Sequence, residues 1–476
     1  MSIALVQNGK IIYAQGFGQR NAEGEPVTST TIFDIASLTK SFTATLLAMQ
    51  IDEGKYDWNT NVLKLYPKFK LYDQNTTKEF EVQDLLAHDS GLPESATSAL
   101  LDLGYNIDHI LYVLRFIKPI APFRTEFAYQ NIFPMLAGEI IQKLSGKSYA
   151  DTLHQRLFDP LEMNDSYNET EEKLYHLKDL AQPFTYVSGH LSAYPMNSLY
   201  QSKRRASEKA AGGSGGIYSS AVDVAKWLIF NMNDGSVGNT QLVSAKNMNF
   251  IHSPQHLITT STLKSPHNEK TEQAYGQGWF IDNAKYRPYT VLYHPGGGMG
   301  MHALMAYIPE KKIGIVVLTN TWGNKVPEAL YQRFFDLFLK KKVLKDWNKA
   351  YLQEQLAGAA PANKDPHLDR CQAIKESDLE KYVGTYYNQI FGRLEMSKQR
   401  DHLLLSIGPI GVIWRLTYCQ NNLFQAYWPN PYGMKFTMLP SEKNSVKFIE
   451  GKNKEIHKMA IPFLNDDGSG VFVKER

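Results

Sequence analysis

Ser37 and Lys40 stand three positions apart in Ser37-Leu38-Thr39-Lys40. At that spacing on a helix two side chains share a face, so the amine can reach the hydroxyl. A serine needs a base to become a nucleophile. A lysine taken out of water loses proton affinity, from about 10.4 toward neutrality, and can then act as that base. With Ser37 in the first turn, its own backbone N–H points at the negative charge that develops on an attacked carbonyl. The same pattern recurs at Ser261-Thr262-Leu263-Lys264, in a polar stretch with no apolar run behind it, and there a solvated helix start is the better reading. Only Ser37 lies between a strand-like Thr31-Ile32-Phe33-Asp34-Ile35 and an apolar helix.

Two further groups carry chemistry. In Tyr129-Gln130-Asn131 a phenol can relay a proton and an amide can hold a substrate carbonyl. Their structural alternatives are a half-buried core tyrosine and a helix N-cap just before Ile132–Leu144. Tyr386-Tyr387-Asn388 repeats the pattern in a different context. His294-Pro295-Gly296-Gly297-Gly298 is the only His-x-Gly in the chain. It is read as ending one strand and preceding another, where glycines let a substrate approach the backbone.

The elements that must position these groups are legible in outline. Residues 2–18 read as a hairpin turning at Asn8-Gly9. Residues 36–53 read as a helix, with Phe42, Leu46, Leu47 and Met49 at helical spacing and Gly54 as its stop. Residues 81–235 are mostly helical in pattern, apart from a polar, irregular stretch over 164–210. Strands return at Gly278–Ile281, Thr290–Tyr293, His302–Ile308 and Ile313–Leu318, with a turn at Pro309-Glu310-Lys311-Lys312. Val326–Leu344 reads as an amphipathic helix. The economical fold class is α/β (α+β): one antiparallel sheet built from both ends of the segment, flanked by helices, with a helical insertion. This gives a unit over 1–345, a linker over 346–377 centred on Gly358-Ala359-Ala360-Pro361-Ala362-Asn363, and an all-β barrel or sandwich over 378–476.

Composition bounds the function. The 476 residues carry 51 basic and 48 acidic side chains, a net charge of +3, so a nucleic-acid partner has no electrostatic footprint. No apolar run is long enough to span a membrane. Met1-Ser2-Ile3-Ala4-Leu5 lacks the basic start and apolar core of a signal peptide, which leaves the compartment open between the cytoplasm and export after processing. Cys371 and Cys419 are too few for a disulfide framework or a cysteine-rich zinc site. The histidines are scattered without metal-ligand spacing, so no metal or other cofactor is expected.

Taken in order, Ser-x-x-Lys, Tyr-x-Asn and a late His-x-Gly resemble the penicillin-recognising serine hydrolases, which include class C β-lactamases, D,D-peptidases, D-aminopeptidases and related esterases. The resemblance covers most of residues 2–340. It extends to Phe33–Lys40, to Leu85-Leu86-Ala87-His88-Asp89-Ser90-Gly91-Leu92-Pro93, and to Gly215-Gly216-Ile217-Tyr218-Ser219-Ser220-Ala221-Val222-Asp223. It implies a β-lactamase/transpeptidase-like fold with Ser37 as the acylated nucleophile, and with Lys40 and Tyr129 sharing base and acid work. Asn131, His294 and Gly296 would bind substrate, and the backbone N–H groups of Ser37 and Gly297 would form the oxyanion hole. The implied substrate is a short peptide, including D-residue peptides, with a carboxylic ester or a β-lactam as alternatives. His294 stands where lactamases carry lysine, which favours the peptidase and esterase branches; Lys312-Ile313-Gly314 lies one strand later. The family usually begins with a helix ahead of the first strand, whereas this chain begins at the strand. Asp378–Asn388 resembles the opening of a lipocalin-like barrel found behind some of these hydrolases, where it shapes the active-site entrance or assembles like subunits.

Two other readings compete. Gly212-Gly213-Ser214-Gly215-Gly216 matches the Gly-x-Ser-x-Gly elbow of α/β-hydrolases, but no strand pattern precedes it and a flexible glycine-rich loop is favoured. A catalytically silent scaffold of the same fold is the other, and the intact Ser37, Lys40, Tyr129 and Asn131 set argues against it.

Overall fold

The structure is a computed structural model that describes residues 1–94, 96–187, 190–193, 212–258, 273–283, 288–298, 300–321, 323–339, 345–358, 371, 374–427, 445–464 and 470–475. Its first strands, β1 (Ser2–Gln7) and β2 (Lys10–Gly16), form the expected hairpin, with Asn8 and Gly9 both left-handed at the turn. The later strands are β3 (His256–Ile258), β4 (Gln273–Tyr275), β5 (Phe280–Asp282), β6 (Val291–Gly298), β7 (Met301–Ile308) and β8 (Ile313–Thr319). They make one antiparallel sheet in the order β3-β4-β5-β6-β7-β8-β1-β2, so strands from both ends of the segment meet where β8 pairs with β1.

One boundary departs from the sequence reading. His294-Pro295-Gly296-Gly297-Gly298 does not follow a strand; it continues β6, pairing with β7 from His294↔Met305 to Gly298↔Met301. On the other side, β5 reaches only as far as Phe280↔Tyr293. Beyond that pair one edge of β6 is open to β5's side, which is why a proline without an N–H is tolerated there.

Helix α1 (Thr39–Asp52) crosses the middle of the unit, with every residue from Thr39 to Gln50 buried. Its polar residues turn their hydroxyls back to carbonyls, as Ser41 does to Leu38 and Thr45 to Ser41. Phe42 stacks on Trp227 of α3 (Ala221–Met232) at 3.9 Å between ring centroids. On the other side of α1 lies α2 (Ile132–Ser145), whose Ile141 carbonyl accepts from the Gln50 amide. The outer face of the sheet is covered by α4 (Val326–Phe338), whose Tyr331 and Phe335 pack on Val291, Leu304, Ile315 and Val317. Residues 340–344 of the expected longer helix lie outside the described residues.

Within the expected linker, Trp347–Gly358 is helical, and 359–370 lies outside the described residues. Cys371 and Cys419 form a disulfide. The last unit is a closed eight-stranded barrel, β9 (Gly384–Asn388), β10 (Gly392–Gln399), β11 (His402–Ile407), β12 (Val412–Gln420), β13 (Leu423–Tyr427), β14 (Ser445–Glu450), β15 (Ile456–Ala460) and β16 (Val471–Lys474). Leu394, Leu405, Trp414, Phe424, Phe448 and Phe472 are among the buried residues that fill it, as expected for a small barrel. Its turns meet the helical side of the first unit: Tyr105 donates to the Phe391 carbonyl, and His109 Nε2 to the Ile390 carbonyl at 2.9 Å. Among the described residues no helix is long and apolar enough to cross a membrane.

Candidate active site

The chain reaches Ser37 through a braced bend. Ile35 N–H bonds to the Ile217 carbonyl at 3.0 Å, holding the short strand Phe33–Asp34 beside Ile217–Ser219. Ala36 is left-handed at φ +46, and the Asp34 carboxylate accepts its N–H at 2.8 Å. A single 3₁₀ turn, Ala36–Leu38, then runs into α1. Ser37 is thereby held half-buried just ahead of a helix N-terminus.

Lys40, in the first turn of α1, is fully buried. Its Nζ lies 3.1 Å from Ser37 Oγ, 2.8 Å from Asn131 Oδ1 and 2.8 Å from the Ser214 carbonyl oxygen. No carboxylate is among these partners, and burial holds the amine well below its ordinary pKa of 10.5. The set suits a neutral amine. All three oxygens can accept from the amine, and once it has lost a proton its lone pair can take the Ser37 hydroxyl instead.

Tyr129 lies with its ring under the same amine, 4.8 Å from Nζ to the centroid. Its hydroxyl is buried and has no hydrogen bond of ordinary geometry, although it is close enough for the Ser37 hydroxyl to pull its pKa slightly back. Burial dominates and drives the phenol above its usual value of 10, so Tyr129 stays protonated at neutral pH.

Asn131 occupies the N-cap position of α2, but its side chain makes no capping bond and is turned to Lys40 instead. The intervening Gln130 fixes this loop: its amide takes the Ser90 hydroxyl at 2.7 Å and donates to the Leu92 carbonyl at 2.8 Å, and its backbone N–H bonds to His88 Nδ1 at 3.2 Å. His88 therefore carries its proton on Nε2. It packs 4.3 Å from the Tyr129 ring, and burial, then Lys40, holds it well below its ordinary pKa.

His294 on β6 is buried, and both its nitrogens are taken within the protein. Nδ1 lies 2.6 Å from the Pro295 carbonyl oxygen, which can only accept, so Nδ1 bears the proton. Nε2 then accepts from the Tyr275 hydroxyl at 2.9 Å. Burial and the nearby Lys40 push its pKa down to about 3, so it is neutral at physiological pH. Gly296 lies so close to the serine bend that a Cβ there would sit 2.2 Å from the Ile35 carbonyl oxygen. Gly297, one residue on, is exposed on the open edge of β6.

Ser261 and Lys264 lie outside the described residues. Ser214 is buried in a helical turn over residues 212–215, followed by the strand Ile217–Ser219 rather than by the helix an elbow requires. The reading of that segment as a flexible loop is corrected on this point: Thr43 on α1 donates to the Gly213 carbonyl and shares a 2.6 Å contact with the Tyr149 hydroxyl, packing the turn against α1. Its contribution to the centre is the Ser214 backbone carbonyl. Nothing in a side-chain pattern signals a carbonyl, and Tyr275 and Thr43 likewise carry no local motif. Gln130 and His88 lie inside quoted motifs, but only the fold brings them together.

The Beta-lactamase family profile matches residues 1–335. Among curated proteins, the chain is similar to an unguisins hydrolase, ungD′, of Aspergillus campestris, with 28% identity over 85% of this chain and 76% of that one. It is also similar to Protein flp of Staphylococcus aureus, with 26% identity over 69% of this chain and 61% of that one. Among solved structures, the octameric penicillin-binding protein homologue from Pyrococcus abyssi superposes with a TM-score of 0.61 at 24% identity, covering 100% of this chain and 94% of that one. FmtA from Staphylococcus aureus superposes with a TM-score of 0.54 at 24% identity, covering 74% and 86% respectively. Both likenesses speak to the fold.

Proposed function

The chain belongs to the beta-lactamase family, and on that premise we propose that it hydrolyses short peptides through an acyl-enzyme on Ser37. The observation that carries this reading is the Lys40 amine, buried without a countercharge and 3.1 Å from Ser37 Oγ. With its proton affinity lowered by burial, it takes the hydroxyl proton as Oγ attacks the substrate carbonyl. The carbonyl oxygen becomes an oxyanion, held by the backbone N–H groups of Ser37 and Gly297. The tetrahedral adduct collapses, the bond to the leaving nitrogen or oxygen breaks, and that atom takes the proton from Lys40, directly or through the Tyr129 hydroxyl. Water then adds to the acyl carbon and gives its proton to the same amine; the second tetrahedral adduct collapses, its bond to Ser37 Oγ breaks, and Oγ takes the proton back from Lys40 as the acid leaves. Because Tyr129 is held as a phenol, its part is relay and donation, and the base is Lys40.

Carboxylic ester hydrolysis is the second reading, since the same steps cleave an ester and His294 brings no positive charge to the site. The name of the unguisins hydrolase supports hydrolysis as the reaction class. The test is intact-mass labelling with a fluorophosphonate and an activated ester on wild type, Ser37→Ala and Ser214→Ala. A single adduct lost only in Ser37→Ala supports the reading. Loss only in Ser214→Ala, or no adduct with either probe, overturns it.

A further inference from the structure

His294 lies on β6, whose Gly296 is pressed on the Ile35 carbonyl just ahead of Ser37, yet its imidazole has nothing left to offer a substrate. Its single proton is held by the Pro295 carbonyl, its lone pair takes the Tyr275 hydroxyl, and 1% of the residue is exposed. The bond to the carbonyl of the next residue clamps the ring to its own strand at the point where the edge turns toward Gly296, itself pressed on the Ile35 carbonyl. Tyr275 comes from β4, two strands away, so the Tyr275–His294 bond ties that strand across the short β5 to the free end of β6.

The rest of the surroundings are apolar or neutral. Phe280 lies 5.2 Å from the His294 ring and Tyr129 lies 6.3 Å from it, with Tyr275 and His88 packed behind. The titratable groups that face this histidine are Lys40 from α1, His88 from the segment after residue 85, Tyr129 from the loop before α2, and Tyr275 from β4. Among the described residues, the Lys40 amine is the basic group that, when protonated, lowers both His88 and His294. Its amine already meets three partners.

We propose that His294 is a positioning residue that holds the Pro295–Gly297 edge, and that the site takes acyl substrates without a carboxylate beside the scissile bond: internal or carboxyl-blocked peptide units and neutral esters. A carboxylate there would give up water and meet two phenols and a phenyl ring instead of a countercharge. This rests on the acyl-enzyme reading of Ser37 and narrows its substrates.

The test uses p-nitrophenyl butyrate and the p-nitrophenyl monoester of succinic acid, which differ chiefly in the acyl charge, on the full chain from pH 5 to 8. The expected result is a kcat/KM at least about tenfold higher for the butyrate, with a ratio that stays flat across pH 6.5, where a free imidazole would titrate. His294→Gln keeps a neutral donor for the Pro295 carbonyl and is expected to lower kcat on both esters by the same factor without changing their ratio. His294→Lys is expected to narrow the ratio. Long-range ¹H–¹⁵N spectra of the wild type are expected to show an Nδ1-protonated imidazole that persists from pH 5 to 8 and is lost in His294→Gln. Equal or better turnover of the succinate ester, a ratio that rises or falls through pH 6.5, or a His294 protonated on Nε2 would each overturn the proposal. If neither ester acylates Ser37, the acyl-enzyme reading fails, and the spectra still decide whether His294 is the neutral clamp.

Discussion

Lys40 Nζ and Asn131 Oδ1 are 2.8 Å apart although 91 residues separate them in the chain. This contact fixes the chemistry of the centre, because it orients an amine that has no carboxylate to keep it charged. Asn131→Asp is expected to raise the Lys40 pKa by about one to three units, since an opposite charge at this distance favours the ammonium. Activity at pH 7 should collapse, and the acid limb of the kcat/KM profile should move to higher pH by that amount. Asn131→Leu removes an acceptor and should move the limb the other way while lowering kcat. A pH–rate series on the three proteins measures both.

Ser37→Ala is expected to reduce turnover on the order of 10⁴-fold or more. Stability should change by no more than about 1 kcal/mol, because the half-buried hydroxyl contributes little beyond its contact with the Lys40 amine. Parallel ester assays and thermal melts check the pair of outcomes, and a large drop in melting temperature would argue against the nearly neutral structural role.

Thr43 supports Lys40 from one helical turn further on, by holding the Gly213 carbonyl next to the Ser214 carbonyl that the amine uses. Thr43→Val keeps the shape but leaves that carbonyl and the Tyr149 hydroxyl unsatisfied, at about 1–3 kcal/mol. It should also shift the Lys40-dependent limb of the pH profile, whereas Thr43→Ser should restore both. Chemical denaturation and the rate profile are read on the same samples.

Acid should unfold the protein early. His294 and His252 are buried and pushed down to about 3, and His88 is held well below 6.5. In the unfolded chain these groups take protons below about 6.5, while in the folded state they do not. The unfolded state therefore binds more protons, and stability falls as pH drops from 6.5 toward 3, by about 1.4 kcal/mol per pH unit for each imidazole. Asp84, raised to about 6 by burial despite its pairing with Arg124, works in the opposite sense and offsets one of them between about 3.8 and 6. Melting curves from pH 7 to 4 should show the decline, and His252→Gln, at a residue that bonds to Asn231 and Tyr307 rather than to Ser37 or Lys40, should make it shallower.

The barrel is seated on the first unit by close backbone approach. A Cβ at Gly104, which has φ +81, would lie 2.3 Å from Ile410 Cγ2. Gly104→Ala should loosen this contact and speed the release of an intact barrel by limited proteolysis, with the barrel's own fold retained. An unchanged digestion pattern would show that Tyr105 and His109 suffice to hold the barrel in place.

Much of this was readable from the chain because it depends on local chemistry. Ser37 and Lys40 needed only helical spacing and an apolar helix behind them. The Asn8-Gly9 turn announced its hairpin, and the alternating runs after residue 378 announced an all-β unit. Where the sequence reading stopped β6 early, it followed the ordinary rule that proline and glycines break strands. Tertiary structure overrode that rule because β5 ends at Phe280↔Tyr293 and leaves Pro295 no donor to supply.

The residue types of the centre, their order and the helix that carries Lys40 were thus determined by the sequence itself. What only the tertiary structure decided is the state of those groups. The amine of Lys40 is held well below its ordinary pKa because the fold removes water, and its partners are Asn131 and the Ser214 carbonyl in place of a carboxylate. His294 is an uncharged clamp because Pro295 and Tyr275 take both its nitrogens. Protonation follows from burial and from partners distant in the chain, and neither is encoded by spacing along it.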